Sequence, residues 1–386
     1  MDWDLILWVA TFIIAVVALL GMLRNRRTIR TMMIERRRTT TMRDTETNPH
    51  TSTTRQGPPY VIYNPTKKAN WEEIREAIAR TAHDASLGEP IWLETTAEDP
   101  GVSQTQAAID AQAAVIIAAG GDGTVRVVAE GLTNTNIPLG LIPVGTGNVL
   151  ARNLNLPLDD VRELAVIALT GINRKIDVGV LEVKKAHAPS PQSTKHEDLK
   201  SATIGRYVFV VNAGMGLDAA IMAEADANKK LKEIIGWPAY FKAAMPHILA
   251  PKMTATISVG SATTPVTTDA RTVMFLNCGE LVGGLVFDST SKTDDGWMEL
   301  AVVDTRAGII GWVDLLRRTG LRGMGIKKVD IPGVPAQGDL DIHRIREATL
   351  ETEQSHPVQV DGDVLGYANH IRARIVPNAL NVRVRN

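Results

Sequence analysis

Two glycine-rich turns constrain the fold of this chain more than any other feature. The first, Gly120-Gly121-Asp122-Gly123-Thr124, follows an apolar run at 114–119. The second, Pro143-Val144-Gly145-Thr146-Gly147-Asn148, closes another apolar run that begins at Leu139. Each opens a helical pattern. Val125, Val128, Ala129 and Leu132 share one face after the first turn, and a helix over 149–154, with Asn148 as its expected cap, follows the second. Successive strand-turn-helix units argue for a parallel sheet with both turns at its carboxyl edge, where open α/β folds bind ligands. Glycines let the backbone come close to a phosphate, and a helix N-terminus offers unpaired N–H groups. Asp122 sharpens the reading. A carboxylate in such a cradle repels an anionic ligand unless it holds magnesium or takes a proton from an incoming hydroxyl. Phosphoryl transfer is the chemistry these turns point to. The string G-x-x-x-x-G-K-[ST] does not occur, so this is not a P-loop.

The alternation extends on both sides. A short strand at 60–63 precedes a helix at 71–82 capped by Asn70, a strand begins at Ile91, and a helix is expected over 104–112. Beyond about Ile176 the pattern shifts to strands, at 176–183, 207–211, 254–259, 271–277 and 298–303, which predicts a β-rich second domain. Between two of them, residues 184–201 read as a mobile hairpin loop, and His187 and His196 within it read as solvated rather than metal-binding. At 386 residues two folded domains are expected, because single cores seldom grow beyond roughly 250 residues.

The N-terminal end differs in kind. Residues 5–23 form an uncharged run of nineteen, the length of a membrane-spanning helix, flanked by Asp2 and Asp4 before it and Arg24, Arg26 and Arg27 after it. A cleaved signal peptide has the opposite polarity. The expectation is a single-pass anchor in the cell membrane, with the arginines and everything after them cytoplasmic. Residues 24–38 hold seven arginines against one glutamate, or +6, so a net charge of -1 leaves -7 for the rest of the chain. An acidic body with one basic stripe argues against nucleic-acid binding. Residues 38–59, rich in threonine and without apolar periodicity, read as a tether. The single cysteine, Cys278, excludes an intrachain disulfide and suits a reducing compartment.

Further strings join the two turns: Tyr63-Asn64-Pro65, the segment 94–99, Ala151-Arg152-Asn153-Leu154, Asn212-Ala213-Gly214-Met215-Gly216-Leu217-Asp218, Asp294-Asp295-Gly296-Trp297 and Asp361-Gly362-Asp363. In this order they resemble the diacylglycerol kinase catalytic domain, shared by diacylglycerol, sphingosine and ceramide kinases and by bacterial lipid kinases. The likeness runs from Tyr60 to the C-terminus. It implies an NAD kinase/phosphofructokinase-like parallel α/β domain over 60–175, a β-sandwich domain over 176–366 and a segment at about 367–386 that returns to the first. It also implies ATP, Mg2+, a lipid substrate such as diacylglycerol and, in some members, a homodimer. Carried over by motif, Asn64, Thr96 (or Thr95), Gly120, Gly121, Asp122, Gly123, Thr124, Gly145, Thr146, Gly147 and Asn148 would bind the nucleotide. Asp295, with the carbonyls of Lys292 and Trp297, would hold a structural magnesium ion. The proton acceptor would be Asp363, with Asp361 beside it or in its place.

Two departures stand out. The family's D-G-E is here D-G-D, one methylene shorter, and Asn64-Pro65-Thr66-Lys67-Lys68 lacks the usual Ser-Gly. Residues 228–250 mix lysines with Trp237, Tyr240 and Phe241, which suits a helix packed on its own domain better than one dipping into a membrane. Two rivals remain: an NAD-dependent oxidoreductase, from the G-x-G-x-x-A at 214–219 in an unsuitable β-rich setting, and a silent nucleotide sensor.

Overall fold

The computed structural model describes residues 57–186, 200–227, 252–260, 264–281, 291–305 and 338–386. The expected anchor and basic stripe, the tether up to residue 56, most of the 184–201 loop and the 228–250 segment lie outside the described residues. Among the described residues no helix is long and apolar enough to cross a membrane.

Four parallel strands, ordered β4-β3-β1-β2, form the first layer: β1 Tyr60–Tyr63, β2 Ile91–Glu94, β3 Ile116–Gly120 and β4 Leu139–Pro143. The central strand β3 is buried along its whole length, as an apolar run with helices on both faces must be. Helix α1, Trp71–Asp84, starts where Asn70 accepts the Glu73 N–H at 3.3 Å, and buries Ile74, Ala77, Ile78 and Ala82. Helices α2 (Val102–Asp110) and α3 (Asp122–Leu132) complete the alternation. A short helix α4, Val149–Asn153, follows the second glycine turn. The sequence pattern gives no element to 155–175, yet helix α5 occupies Val161–Thr170, capped by Asp160, which accepts the Glu163 N–H. It lies against β4 closely enough that a Cβ on Gly140 would be 2.9 Å from Ala168 Cβ.

The remaining strands pair with one another antiparallel: β5 Ile172–Lys185, β6 Gly205–Phe209, β7 Asn212–Gly216, β8 Met253–Val259, β9 Val266–Ala270, β10 Thr272–Leu276, β11 Met298–Thr305, β12 Gly338–Ile345, β13 Glu347–Val360 and β14 Asp363–Val384. One helix, α6 (Leu217–Ala227), interrupts them. Strand β13 shifts register between Glu351 and His356, so its first half pairs with β8 and its last residues with β7. The two leaves that result share a second core around Phe209, Met215, Phe275, Leu300, Leu350 and Ile371.

Strand β14 joins the two regions. It pairs with β13 up to Arg374, with β5 from Ile375, and lies parallel to β4 at Val382. Ile375 packs in the second core and Ala379, Leu380 and Val382 in the first, so β14 passes from one core to the other within a single strand, and β5, Ile172–Lys185, runs across position 176. Continuous strands cross both borders.

Candidate active site

Register sets the site. Tyr63 pairs with Glu94 and Ala119, and Gly120 with Pro143, so Asn64, Thr95, the 120–124 turn and the 143–148 turn all leave one edge of the sheet. The two glycine turns touch. A Cβ on Gly145 would be 2.7 Å from Gly121 Cα, and one on Gly147 would be 2.5 Å from Asp122 Oδ2. Neither glycine accepts a side chain without separating the turns.

Asp122 fastens them. Its Oδ2 accepts the Asn148 N–H at 2.9 Å and its Oδ1 accepts the Val149 N–H at 2.7 Å. Burial pushes its pKa up, opposed by these two amides and by the nearby Lys67 ammonium. Asn148, expected to cap α4, does something else. In left-handed conformation (φ 49°), it accepts the Gly145 N–H at 3.0 Å and donates to the Gly145 carbonyl at 2.7 Å. Its amide closes the turn on itself, so capping of α4 passes to Asp122, 26 residues earlier in the chain.

The other nucleotide candidates line the same edge. Asn64 Oδ1 accepts the Thr66 N–H and hydroxyl at 3.0 and 2.7 Å, shaping the loop that carries Lys67. Lys67 was not among the expected site residues, yet its Nζ would be 3.7 Å from a Cβ on Gly121. Thr95 is buried, whereas Thr96 is exposed and accepts the Asp99 N–H at 3.0 Å. Thr124 is buried against Gly120, and Thr146 is exposed at its turn.

The β-rich region brings one hairpin tip to this edge. Val360 pairs with Asp363 across Asp361 and Gly362, both with positive φ (46° and 90°), the two-residue turn that Asp-Gly favours. Asp361 is spent on structure: Oδ2 accepts the Val210 N–H, and Oδ1 accepts those of Val211 and Asn212, at 2.8 to 2.9 Å. Burial pushes its pKa up to about 7, against the pull of these amides. Gln359 braces the tip from behind, accepting the Gly362 N–H and donating to buried Asp218, each at 2.8 Å. Asp363 differs. Its side chain is 48% exposed, and its Oδ1 would be 3.8 Å from a Cβ on Gly123, in the first turn of α3. Its Oδ2 meets Arg126, a residue absent from the sequence-based candidates, with Nη2 at 2.7 Å and Nε at 2.9 Å.

The expected magnesium loop is built differently from an open cation site. Asp295 Oδ2 is paired with Arg344 Nη2 at 2.6 Å, its Oδ1 accepts the Trp297 N–H at 3.1 Å, and Asp294 is paired with Arg174 at 2.7 Å. Both carboxylates face guanidinium groups, and no cluster of three or more metal-ligating side chains occurs among the described residues. A cation held by Asp295 with the carbonyls of Lys292 and Trp297 would have to share Oδ2 with Arg344. Buried Asp177 holds the loop instead, accepting the Gly296 N–H at 2.6 Å and the Asn378 N–H at 2.8 Å.

Comparison with known proteins bears on this geometry. Residues 58–181 match the diacylglycerol kinase catalytic domain. A Chromohalobacter salexigens protein named "Probable lipid kinase YegS-like" is 28% identical over 328 residues, 81% of this chain and 89% of that one. The Bacillus subtilis protein named diacylglycerol kinase is 34% identical over 126 residues, 31% of this chain and 40% of its own length. In fold, the chain is similar to the crystal structure of a diacylglycerol kinase from Bacillus anthracis, with a TM-score of 0.56, 19% identity, and coverage of 85% of this chain and 97% of that one.

Proposed function

We propose that this chain, a lipid kinase built on a diacylglycerol kinase catalytic domain, moves the γ-phosphoryl group of ATP onto the free hydroxyl of diacylglycerol. The observation that carries the reading is the approach of Asp363 to Gly123. It puts an accessible carboxylate oxygen beside the backbone of a phosphate-type glycine turn. In this reading the triphosphate, entering with its own Mg2+, lies along the 120–124 and 143–148 turns. The N–H groups at the start of α3 and the Lys67 ammonium face its charge.

Asp363 takes the proton. As the acceptor's O–H bond breaks, its proton passes to Asp363 Oδ1 and its oxygen forms the new bond to the γ-phosphorus. The bond from that phosphorus to the β–γ bridging oxygen breaks, and ADP leaves with the electron pair. Asp361 and Asp122 are positioning residues here, since their oxygens are taken by backbone amides. Each of these carboxylates has both oxygens directed at backbone amides, so neither turns one toward an acceptor hydroxyl.

The preference for diacylglycerol rests on the matched domain together with the nineteen-residue apolar run at 5–23, read as a single-pass anchor that holds a cytoplasmic active site next to a water-insoluble substrate. The test is transfer of labelled γ-phosphate from Mg-ATP into a panel of micellar lipids. Label in phosphatidic acid with the wild type, reduced about 100-fold or more by Asp363→Asn, is the expected result. Label in a sphingoid base, ceramide or phosphatidylglycerol instead corrects the acceptor. Bound ATP with no label in any lipid overturns the reading.

A further inference from the structure

Arg126 lies one helical turn after Asp122 and one before Glu130, on the face of α3 turned toward the Asp361–Asp363 hairpin. Its side chain is only 14% exposed, so its charge must be met within the protein. Glu130 meets part of it, with Oε2 3.2 Å from Nη1. The other two nitrogens, Nε and Nη2, converge on one oxygen of Asp363, at 2.9 and 2.7 Å. That leaves Asp363 Oδ1 free on the side of Gly123.

We infer that Arg126 is the positioning residue for the proton acceptor: its guanidinium fork grips Asp363 Oδ2 and so presents Oδ1 to the glycine turn. The inference rests on the reading of Asp363 given above. The reason for such a device is geometric. An aspartate reaches one methylene less far than a glutamate, and it starts here from the first residue after a two-residue hairpin turn, with half of its side chain in solvent. An exposed carboxylate samples several rotamers, of which one faces Gly123. A planar cation held from behind by Glu130, with two N–H groups on one oxygen, selects that rotamer. The grip also spans the two regions of the fold, because Arg126 belongs to the parallel layer and Asp363 to the hairpin.

The test is a double-mutant cycle on lipid phosphorylation with Arg126→Ala, Arg126→Lys and Asp363→Asn. Arg126→Ala is expected to lower kcat about 10- to 100-fold with little change in KM for ATP, the cost of misplacing a reacting group by about an ångström. Arg126→Lys, a point charge without the fork, should recover only part of this. In the Asp363→Asn background Arg126→Ala should cost nothing further. An equal loss in both backgrounds overturns the inference, since Arg126 then acts on the phosphoryl group or the fold directly. So does an unchanged kcat. Crystal structures of wild type and Arg126→Ala supply a reading independent of turnover. Asp363 should leave its place beside Gly123 in the variant, and an Asp363 that stays there overturns the inference. A wild type without lipid kinase activity would instead count against the proposed function alone.

Discussion

At the scale of single residues, the site shows that identity and role are separate questions. Asp122, Asp361 and Asp363 all stood out in the sequence as chemistry-bearing carboxylates. What separates them is which lone pairs the backbone has already claimed, and no string of letters carries that. Arg126 was silent for the converse reason: one arginine on a helix reads as a solvated face until a partner 237 positions away is folded against it. Asp361 gives a pH signature. Its carboxyl is raised from 3.8 to about 7, so between those values the folded protein binds a proton that the unfolded chain releases. Unfolding free energy therefore falls as pH rises through that window. Comparison with Asp361→Asn, which does not titrate, isolates the effect. The unfolding free energy of the wild type, relative to the variant, should drop from about pH 4 to about pH 7 by an amount on the order of a few kcal/mol, and the thermal midpoint should fall with it. Parallel curves across that range would refute it. The variant should also be less stable throughout, because an amide presents N–H groups toward the N–H groups of residues 210–212.

At the scale of elements, strands β1, β3 and β4 and helix α1 were legible to within about two residues, since buried parallel strands read as apolar runs and Asn70 marks a start. Helix α5 was not. Its run Leu164-Ala165-Val166-Ile167-Ala168-Leu169 is apolar without a break, and such a run carries neither period. Strand β14 was hidden for another reason. Pro377-Asn378 signals a break, yet the strand passes through by a register shift between Val376 and Leu380, with Asn378 at φ 53°. Asp177 makes this passage stable, because its carboxylate accepts the Asn378 N–H and the Gly296 N–H at once. Asp177→Ala should leave both amides unpaired and lower the unfolding free energy by about 2 to 5 kcal/mol, read from denaturant titration. Because the change is remote in sequence and in pairing from the hairpin, kcat at low temperature should stay within about twofold of wild type. A large loss of kcat with unchanged stability would mean that the 293–296 loop takes part in turnover.

At the scale of the whole molecule, the question is what the N-terminal 56 residues contribute to an enzyme whose described part already has two cores of its own and both halves of the candidate site. The chain divides into two units at Thr53 and Thr54, and every residue proposed to act on substrate belongs to the second. Under the proposed function, the first unit bears on access to substrate rather than on chemistry. An acceptor dissolved in a bilayer is reached in two dimensions by a tethered enzyme and in three by a free one, and tethering raises the effective concentration of one partner around the other. Read as an anchor, the run at 5–23 would supply an insertion length and the +6 stripe at 24–38 an orientation. Deleting residues 1–56 should thus separate two assays. On lipid in detergent micelles, where every enzyme molecule meets substrate by diffusion, the rate should change by less than about twofold. On the same lipid at equal total concentration in vesicles, the truncated chain should be slower than the reconstituted full chain by about tenfold or more. Equal slowing in both assays would place the first unit in folding or catalysis, and no slowing in either would remove the reason for reading 5–23 as an anchor.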